Sequence, residues 1–331
     1  MAITNAPAKS LEPDLIPVID VSPLLDPAGG GDALARVGAA ILEASERIGF
    51  FYVRGHGVPR PVIDAAVGQA LAFFRRAADE KLQVRVSPKH RGFIPVGEAK
   101  MYAGARVDLK ESFIWGLDVA DADADVAEGR TLLAPNRWPA FQPAMRDALN
   151  AYFDACHGIA WPLMRAFAVA LGIEPEHFVR RIARPVSRGS AVWYPPQPPQ
   201  SHEEQFGVAP HTDYGCLTFV MQADVGGLEV YGREREWVAA PPIDGTFVVN
   251  VGDLLARWTN DRFRSTPHRV VNRSGRERLS IAMFVDPDDD TLVEPVCRPG
   301  EAPRHEPVHV GDYIRGRYDR SFAYRAKTRQ G

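Results

Sequence analysis

The stretch PHTDYGCLTF, residues 210–219, sets a histidine and an aspartate two positions apart at the mouth of an apolar, β-branched run. In an extended chain, residues i and i+2 point to the same side, so His211 and Asp213 face one way and Thr212 the other. An imidazole and a carboxylate held side by side are part of a metal site if a third ligand exists. Alone, the pair is equally a polar turn leading into a strand.

Outward from this stretch, short β-type runs recur. From about residue 187 the chain reads SAVWYPPQPPQ, CLTFVMQ, GLEVYG, EWVAAP, TFVVNVGD, HRVVN and RLSIAMFV, with turn signals between the runs. Many short strands at this spacing predict a sandwich or barrel and not βαβ units. The first half is mixed. LIPVIDVSPLL predicts an extended segment closed by a turn, and IGFFYVRGHGVP (48–59) a short aromatic strand ending in a glycine-bounded turn. Leu34, Val37, Ile41 and Ala44 give residues 32–47 helical spacing, and helices are also expected over 61–76 and about 143–171. Pro162 should kink the last of these or mark its break. The acidic DVADADADVAEG (118–129) is expected to be a solvated loop.

Two histidines and one carboxylate on one face would leave three octahedral positions open, the arrangement of non-haem Fe(II) oxygen chemistry. The third ligand has to come from a distant strand. Of the nine histidines, His56 lies in a glycine turn, and His90, His157, His177, His305 and His309 in polar or helical settings that suit surface or hydrogen-bonded imidazoles. His268 differs. It opens HRVVN, 55 residues past Asp213, which is room for several strands to return antiparallel across a sandwich. A competing pattern, His202-Glu203-Glu204, follows PPQPPQS with no strand behind it to fix its geometry. It is set aside as a ligand pair, although His202 could still support one.

The run RERLSIAMFVD adds a different group. Alternation puts Leu279, Ile281, Met283 and Val285 on one face and Arg278, Ser280, Ala282 and Phe284 on the other. Arg278 and Ser280 project together, ten residues after His268. A guanidinium fork with a hydroxyl beside it is a carboxylate clamp; a surface arginine on an edge strand is the plainer alternative. Tyr194, in WYPP, offers either a phenol at a strand end or core packing, and Phe284 either pocket wall or core.

Bulk properties exclude several classes. A chain of 331 residues can bury a large core. With a net charge of −3 and no run of five Lys/Arg, there is no electrostatic reason to expect nucleic acid or an anionic membrane as partner. No apolar stretch approaches the roughly 20 residues of a membrane span, and MAITNAPAKSLEPDLIPVID lacks the compact apolar segment of a secretory signal. A cytoplasmic location is the expectation. Cys156, Cys216 and Cys297 are odd in number and scattered, against both a disulfide framework and a thiolate zinc cluster.

Taken together, HTD…H…R-x-S resembles the 2-oxoglutarate- and Fe(II)-dependent dioxygenases of the isopenicillin N synthase-like family. IPVIDVSPL, GFFYVRGHGVP, DLKESFIWG (108–116), NRWP (136–139), YPP, VGGLEV, VVNVGDLLARWTND and STPHRV follow in that family's order over nearly the whole chain. The resemblance implies a mainly β fold with flanking helices, a distorted double-stranded β-helix (jelly roll). Residues 181–331, including a C-terminal helical segment, would form the core, and 1–180 would pack on it as one compact unit. It makes His211, Asp213 and His268 the ligands of a catalytic Fe(II), and Arg278, Ser280 and Tyr194 the holders of the 2-oxoglutarate C5 carboxylate. One departure is Val192, where plant members often carry Asn two residues before the YPP tyrosine. The implied reaction uses O2 and 2-oxoglutarate to oxidise a small molecule, most often by hydroxylation, with release of succinate and CO2. A family oxidase that omits 2-oxoglutarate and a non-catalytic metal-binding jelly roll are the alternatives. A monomer or weak homo-oligomer is expected.

Overall fold

The computed structural model describes residues 7–10, 15–26, 30–98, 106–129, 132–197 and 205–321. In chain order the first half gives β1 (Val18–Asp20), α1 (Gly30–Arg47), β2 (Phe50–Arg54), α2 (Arg60–Phe74), α3 (Ala78–Leu82), β3 (Gly92–Ile94), β4 (Glu111–Gly116), α4 (Ala124–Ala127) and α5 (Ala144–Ala170). The second half gives β5 (Arg188–Tyr194), β6 (Val208–His211), β7 (Leu217–Gln222), β8 (Leu228–Tyr231), β9 (Trp237–Ala239), β10 (Thr246–Val251), α6 (Asp253–Trp258), β11 (His268–Val270), β12 (Arg278–Val285), β13 (Leu292–Val293), β14 (Val308–His309) and α7 (Val310–Ser321).

Eight strands of the second half form two four-stranded arrays, β10-β7-β12-β5 and β6-β11-β8-β9. All their pairings are antiparallel. The first array is widened on one flank by β2 and β1, next to β10, and on the other by β4 and β3, next to β5. Alternation then sorts the side chains. Phe50, Tyr52, Val192, Tyr194 and Val248 of the wide sheet meet Val208, Leu228, Val230 and Val270 of the small one in a shared apolar layer. The opposite face of the wide sheet, with Phe51, Phe219, Val249, Ile281 and Met283, packs with Leu149, Phe153 and Phe167 of α5 in the larger core.

On β12, Leu279, Ile281, Met283 and Val285 all join this larger core, as their two-residue period requires. A one-residue slip would exchange four buried apolar side chains, each worth about 1.5–3 kcal/mol, for a face carrying Arg278 and Ser280. That cost pins the register on which the site depends.

The three expected helices are present as α1, α2 and α5. α5 runs unbroken past Pro162; there the ring replaces only the N–H that would have bonded the Gly158 carbonyl, and packing on both sides keeps the helix whole. α1 lies close against α5 because residue 38 is glycine: a Cβ there would sit 2.7 Å from the Ala166 carbonyl oxygen. The acidic segment 118–129 is not a free solvated loop. Arg184 pairs with Asp123 and Asp125 at the start of α4, and Arg146 with Asp118, so oppositely charged partners tie it to the fold. No described helix is long and apolar enough to cross a membrane.

Candidate active site

β6 and β11 are neighbours in the small sheet, and their register puts His268 directly opposite His211. The two imidazole centroids are 4.2 Å apart. Asp213 follows two residues after His211, in the bend before β7, and its Oδ1 lies 3.8 Å from Nε2 of each histidine. That spacing is too long for hydrogen bonds. Two atoms bonded to one ion at about 2.0–2.2 Å can lie up to about 4.4 Å apart, so 3.8 Å suits ligands of a shared metal. One ligand atom from each of His211, Asp213 and His268 can be chosen so that all three lie within 4.8 Å of one another, and no other group of three His, Cys, Asp or Glu among the described residues does this.

The remaining atoms are already committed. Nδ1 of His211 faces the Ala209 carbonyl (2.8 Å) and Nδ1 of His268 that of Thr266 (3.2 Å). A proton on each Nδ1 donates to its carbonyl and leaves Nε2 as a lone-pair ligand. Oδ2 of Asp213 accepts from Thr218 Oγ1 (2.6 Å) and Asn250 Nδ2 (2.8 Å), which leaves Oδ1 turned toward the imidazoles. Burial, and then the neighbouring His268, lowers His211 to about 3. It is therefore neutral near pH 7, the form that ligates. Burial opposes the Asp213 carboxylate, but both imidazoles and the Thr218 and Asn250 hydrogen bonds hold its pKa below the ordinary value.

The bend itself is tightly seated. A Cβ on Gly215 would lie 1.8 Å from Asp286 Oδ1, and one on Gly252 would lie 2.2 Å from the Gly215 carbonyl oxygen. Thr212, between the two candidate ligands, donates to Asp253 Oδ2 (3.2 Å). Asp253 also accepts from Ser265 (2.6 Å) and pairs with Arg317 of α7 (2.6 Å). One carboxylate thus ties the loop of the first two candidate ligands, the approach to the third, and the C-terminal helix.

Arg278 stands opposite Tyr194 in the β12–β5 ladder. Its guanidinium carbon is 4.7 Å from the Tyr194 ring centroid, Nη1 donates to Ser280 Oγ (3.1 Å) and Nη2 to Gln222 Oε1 (3.0 Å). The residue is 1% exposed, Nε is buried without a hydrogen bond, and no carboxylate among the described residues pairs with it. Burial, the largest influence, lowers its pKa from the ordinary arginine value. A desolvated cation without a counter-ion is costly, and an incoming carboxylate would relieve that cost. The site therefore fits a dicarboxylate co-substrate as well as a metal.

A recess of about 90 Å³ opens beside His211 and Asp213. Lys110, Ser112, Arg188, Ser190, Phe284 and Tyr318 are among the side chains that line it. Phe284 is therefore pocket wall. His90, expected in an ordinary polar setting, is 2% exposed and lines the same recess. Thr218, Asn250 and Gln222 escaped the sequence reading because their roles depend on cross-strand neighbours that linear spacing does not reveal. Arg188 was within reach: it shares a strand face with Tyr194 by simple alternation. His202, Glu203 and Glu204 lie outside the described residues.

Known proteins resemble the chain over most of its length. Residues 180–287 match the family model of the 2OG-Fe(II) oxygenase superfamily, and residues 16–141 that of the non-haem dioxygenase in morphine synthesis N-terminal family. The chain is 31% identical over 322 residues to the 2-oxoglutarate-Fe(II) type oxidoreductase hxnY of Emericella nidulans, covering 94% of this chain and 92% of that protein. It is 34% identical over 295 residues to the homoarginine-6-hydroxylase 2-ODD-C23 of Glycine max, covering 85% and 88%. Among solved structures, a full-length Neurospora crassa protein crystallised in complex with alpha-KG superposes with a TM-score of 0.81 at 29% identity, covering 91% of this chain and 95% of that one.

The chain belongs to the 2OG-Fe(II) oxygenase superfamily. It is a 2-oxoglutarate-dependent non-haem iron dioxygenase with the double-stranded β-helix fold, and its cofactors are Fe(II), 2-oxoglutarate and O2. The likenesses support neither the oxidase alternative nor the non-catalytic one.

Proposed function

We propose that His211, Asp213 and His268 hold the Fe(II), that Arg278, Ser280 and Tyr194 hold the distal carboxylate of 2-oxoglutarate, and that the enzyme hydroxylates a small organic molecule bound in the recess beside them. The observation that carries this is the direct opposition of His268 and His211 across β6 and β11, with Asp213 Oδ1 turned toward both. Bound iron supplies O2 activation coupled to oxidative decarboxylation of 2-oxoglutarate, giving succinate and CO2. The chain's own part is positional. Ala209 and Thr266 carbonyls fix the histidine tautomers, Thr218 and Asn250 orient the Asp213 carboxylate, and Arg278 fixes one end of the co-substrate. Names of relatives such as the homoarginine-6-hydroxylase support hydroxylation as the outcome.

Residues 1–180 and 181–331 act as one compact unit in this proposal, supported by the edge strands that the first half lends to the wide sheet. The protein works in the cytoplasm as a monomer or weak homo-oligomer; its mild negative charge is compatible with this.

The test is 2-oxoglutarate-dependent succinate release under Fe(II) and O2. It should vanish in His211→Ala, Asp213→Ala and His268→Ala, with Fe(II) binding weakened in each, and Zn(II) should inhibit by occupying the same donors. Retained iron binding in Asp213→Ala, or full activity with zinc alone, would overturn the assignment.

A further inference from the structure

Two arginines share the inner face of the β5–β12 ladder, at opposite ends. Arg278 is registered with Tyr194, and Arg188 with Phe284. Their backbones are six ladder positions apart, roughly 20 Å at about 3.4 Å per residue. Arg278 leans toward Ser280, whereas Arg188 leans outward toward Asp286. One five-carbon diacid does not span both.

Arg188 is built as a fixed fork. Its guanidinium carbon lies 4.2 Å from the Phe284 ring centroid and 4.9 Å from that of Tyr318, which α7 brings in from the other side. Stacking of this kind sets the guanidinium plane. Its side chain is 7% exposed, and Nη1 makes a single 3.3 Å hydrogen bond to the fully buried Asp286. Nε and Nη2 have no hydrogen bond to any described residue, and neither is sealed away from solvent. A purely structural arginine–aspartate pair is ordinarily two-pronged; here one prong is used and two donors remain on a cavity-lining residue. Ser190 follows on the same strand face, with Ser112 on neighbouring β4, and neither hydroxyl has a described partner. At the other end of the cavity Lys110, 3.4 Å from Asp108, adds a second cation.

We propose that the primary substrate is a compact organic carboxylate whose anionic group is gripped by Arg188, with Ser190 beside it and Lys110 adding favourable potential, so that its apolar body lies over Ile114 toward His211 and Asp213. The recess measures about 90 Å³: at roughly 10–15 Å³ per water-sized group it seats on the order of six to nine such groups.

This inference rests on the oxygenase reading, so the test begins by loading the full-length protein with Fe(II) and 2-oxoglutarate under anaerobic conditions, which also fills the Arg278 clamp. Benzoate, hexanoate and cyclohexanecarboxylate are then titrated calorimetrically, each against its primary amide. At least one acid should bind about tenfold or more tightly than its amide. The preference should collapse in Arg188→Met, survive in part in Arg188→Lys, and weaken modestly in Lys110→Met. If Arg188→Met does not fold, because Asp286 loses its counter-ion, the double variant Arg188→Met/Asp286→Asn removes both charges and should show the same collapse. A series in which no acid outbinds its amide, or an acid preference that persists without Arg188, overturns the anionic-substrate assignment while the oxygenase reading stands. Failure to load with Fe(II) and 2-oxoglutarate takes both down.

Discussion

Oδ2 of Asp213 is held by Thr218 and Asn250, and that division of labour has a measurable consequence. Removing a hydrogen-bond partner of a metal ligand ordinarily costs about 10–100-fold in metal affinity. Asn250→Ala should therefore weaken Fe(II) binding within that range, measured by anaerobic equilibrium dialysis, while the fold persists. Unchanged affinity would mean that Asp213 is oriented by something else. Arg278 is the second residue with a specific expectation. Losing the partner of a desolvated charge costs about 2–5 kcal/mol, so Arg278→Ala should raise the KM for 2-oxoglutarate by at least about tenfold, a cautious floor under that range. Arg278→Lys should recover only part, because a point charge does not reproduce the planar fork. Iron affinity should stay near that of the parent. A clamp variant that binds 2-oxoglutarate normally but loses iron would reverse the assignment of the two groups.

At the scale of elements, α5 carries a buried titratable group remote from the chemistry. His157 packs edge-on to Phe153 (4.4 Å between centroids) and stacks on Trp161 (5.4 Å), with Nε2 buried and unbonded. Burial lowers it from 6.5 to about 4. Above pH 6.5 both folded and unfolded chains hold it neutral, and nothing is lost. As pH falls from 6.5 toward 4 the unfolded chain takes up the proton first, and stability drops by up to about 3 kcal/mol. Asp286, raised to about 6 mainly by burial, tilts stability the opposite way over the lower part of this window. The parent and His157→Gln therefore have to be compared at each pH. Urea unfolding should show the gap between them shifting by about 2–3 kcal/mol in the variant's favour between about pH 7 and about pH 4.5. A pH-independent gap would show that His157 is not the titrating group.

The long helices α1, α2 and α5 were legible from their apolar period, and strands because alternation is local: β12 could be read to the residue from RLSIAMFV, and its Arg278 and Ser280 meet as alternation requires. What stayed hidden was set across strands. Asn250 is four β10 residues beyond Thr246 and unremarkable in sequence, yet its side chain ends at Asp213 because β10 pairs with β7. Tyr318 lines the recess from α7, a helix far along the chain that Arg317 ties to Asp253. At Pro162 the local rule allowed either a kink or a break, and α5 continues through it without a break.

For the whole molecule, the candidate ligands join β6 and β11 to the bend that enters β7 in the other sheet, so an ion there links the two sheets. Binding only to the folded chain stabilises it by about 2.7 kcal/mol at a hundred times Kd, which corresponds to a rise of a few degrees in Tm for a protein of this size. Anaerobic Fe(II), or Zn(II) as a non-turning-over substitute, should produce that rise in the parent and not in His268→Ala. An equal rise in the variant would place the stabilising ion elsewhere.

The ladder that sets His268 against His211 also decides where the gene can change length. The two histidines are held by pairing between β6 and β11, with β8, inside the 56 residues that join them, backing β11. Those residues reverse direction at an exposed turn, Arg233 to Arg235, which faces solvent between β8 and β9. Insertions at that turn lengthen the connection while the ladder stays in register, whereas a single codon gained or lost inside β6 or β11 moves one histidine out of opposition. Length variation in descendants of this gene should therefore collect at the β8–β9 turn and be purged from those two short strands.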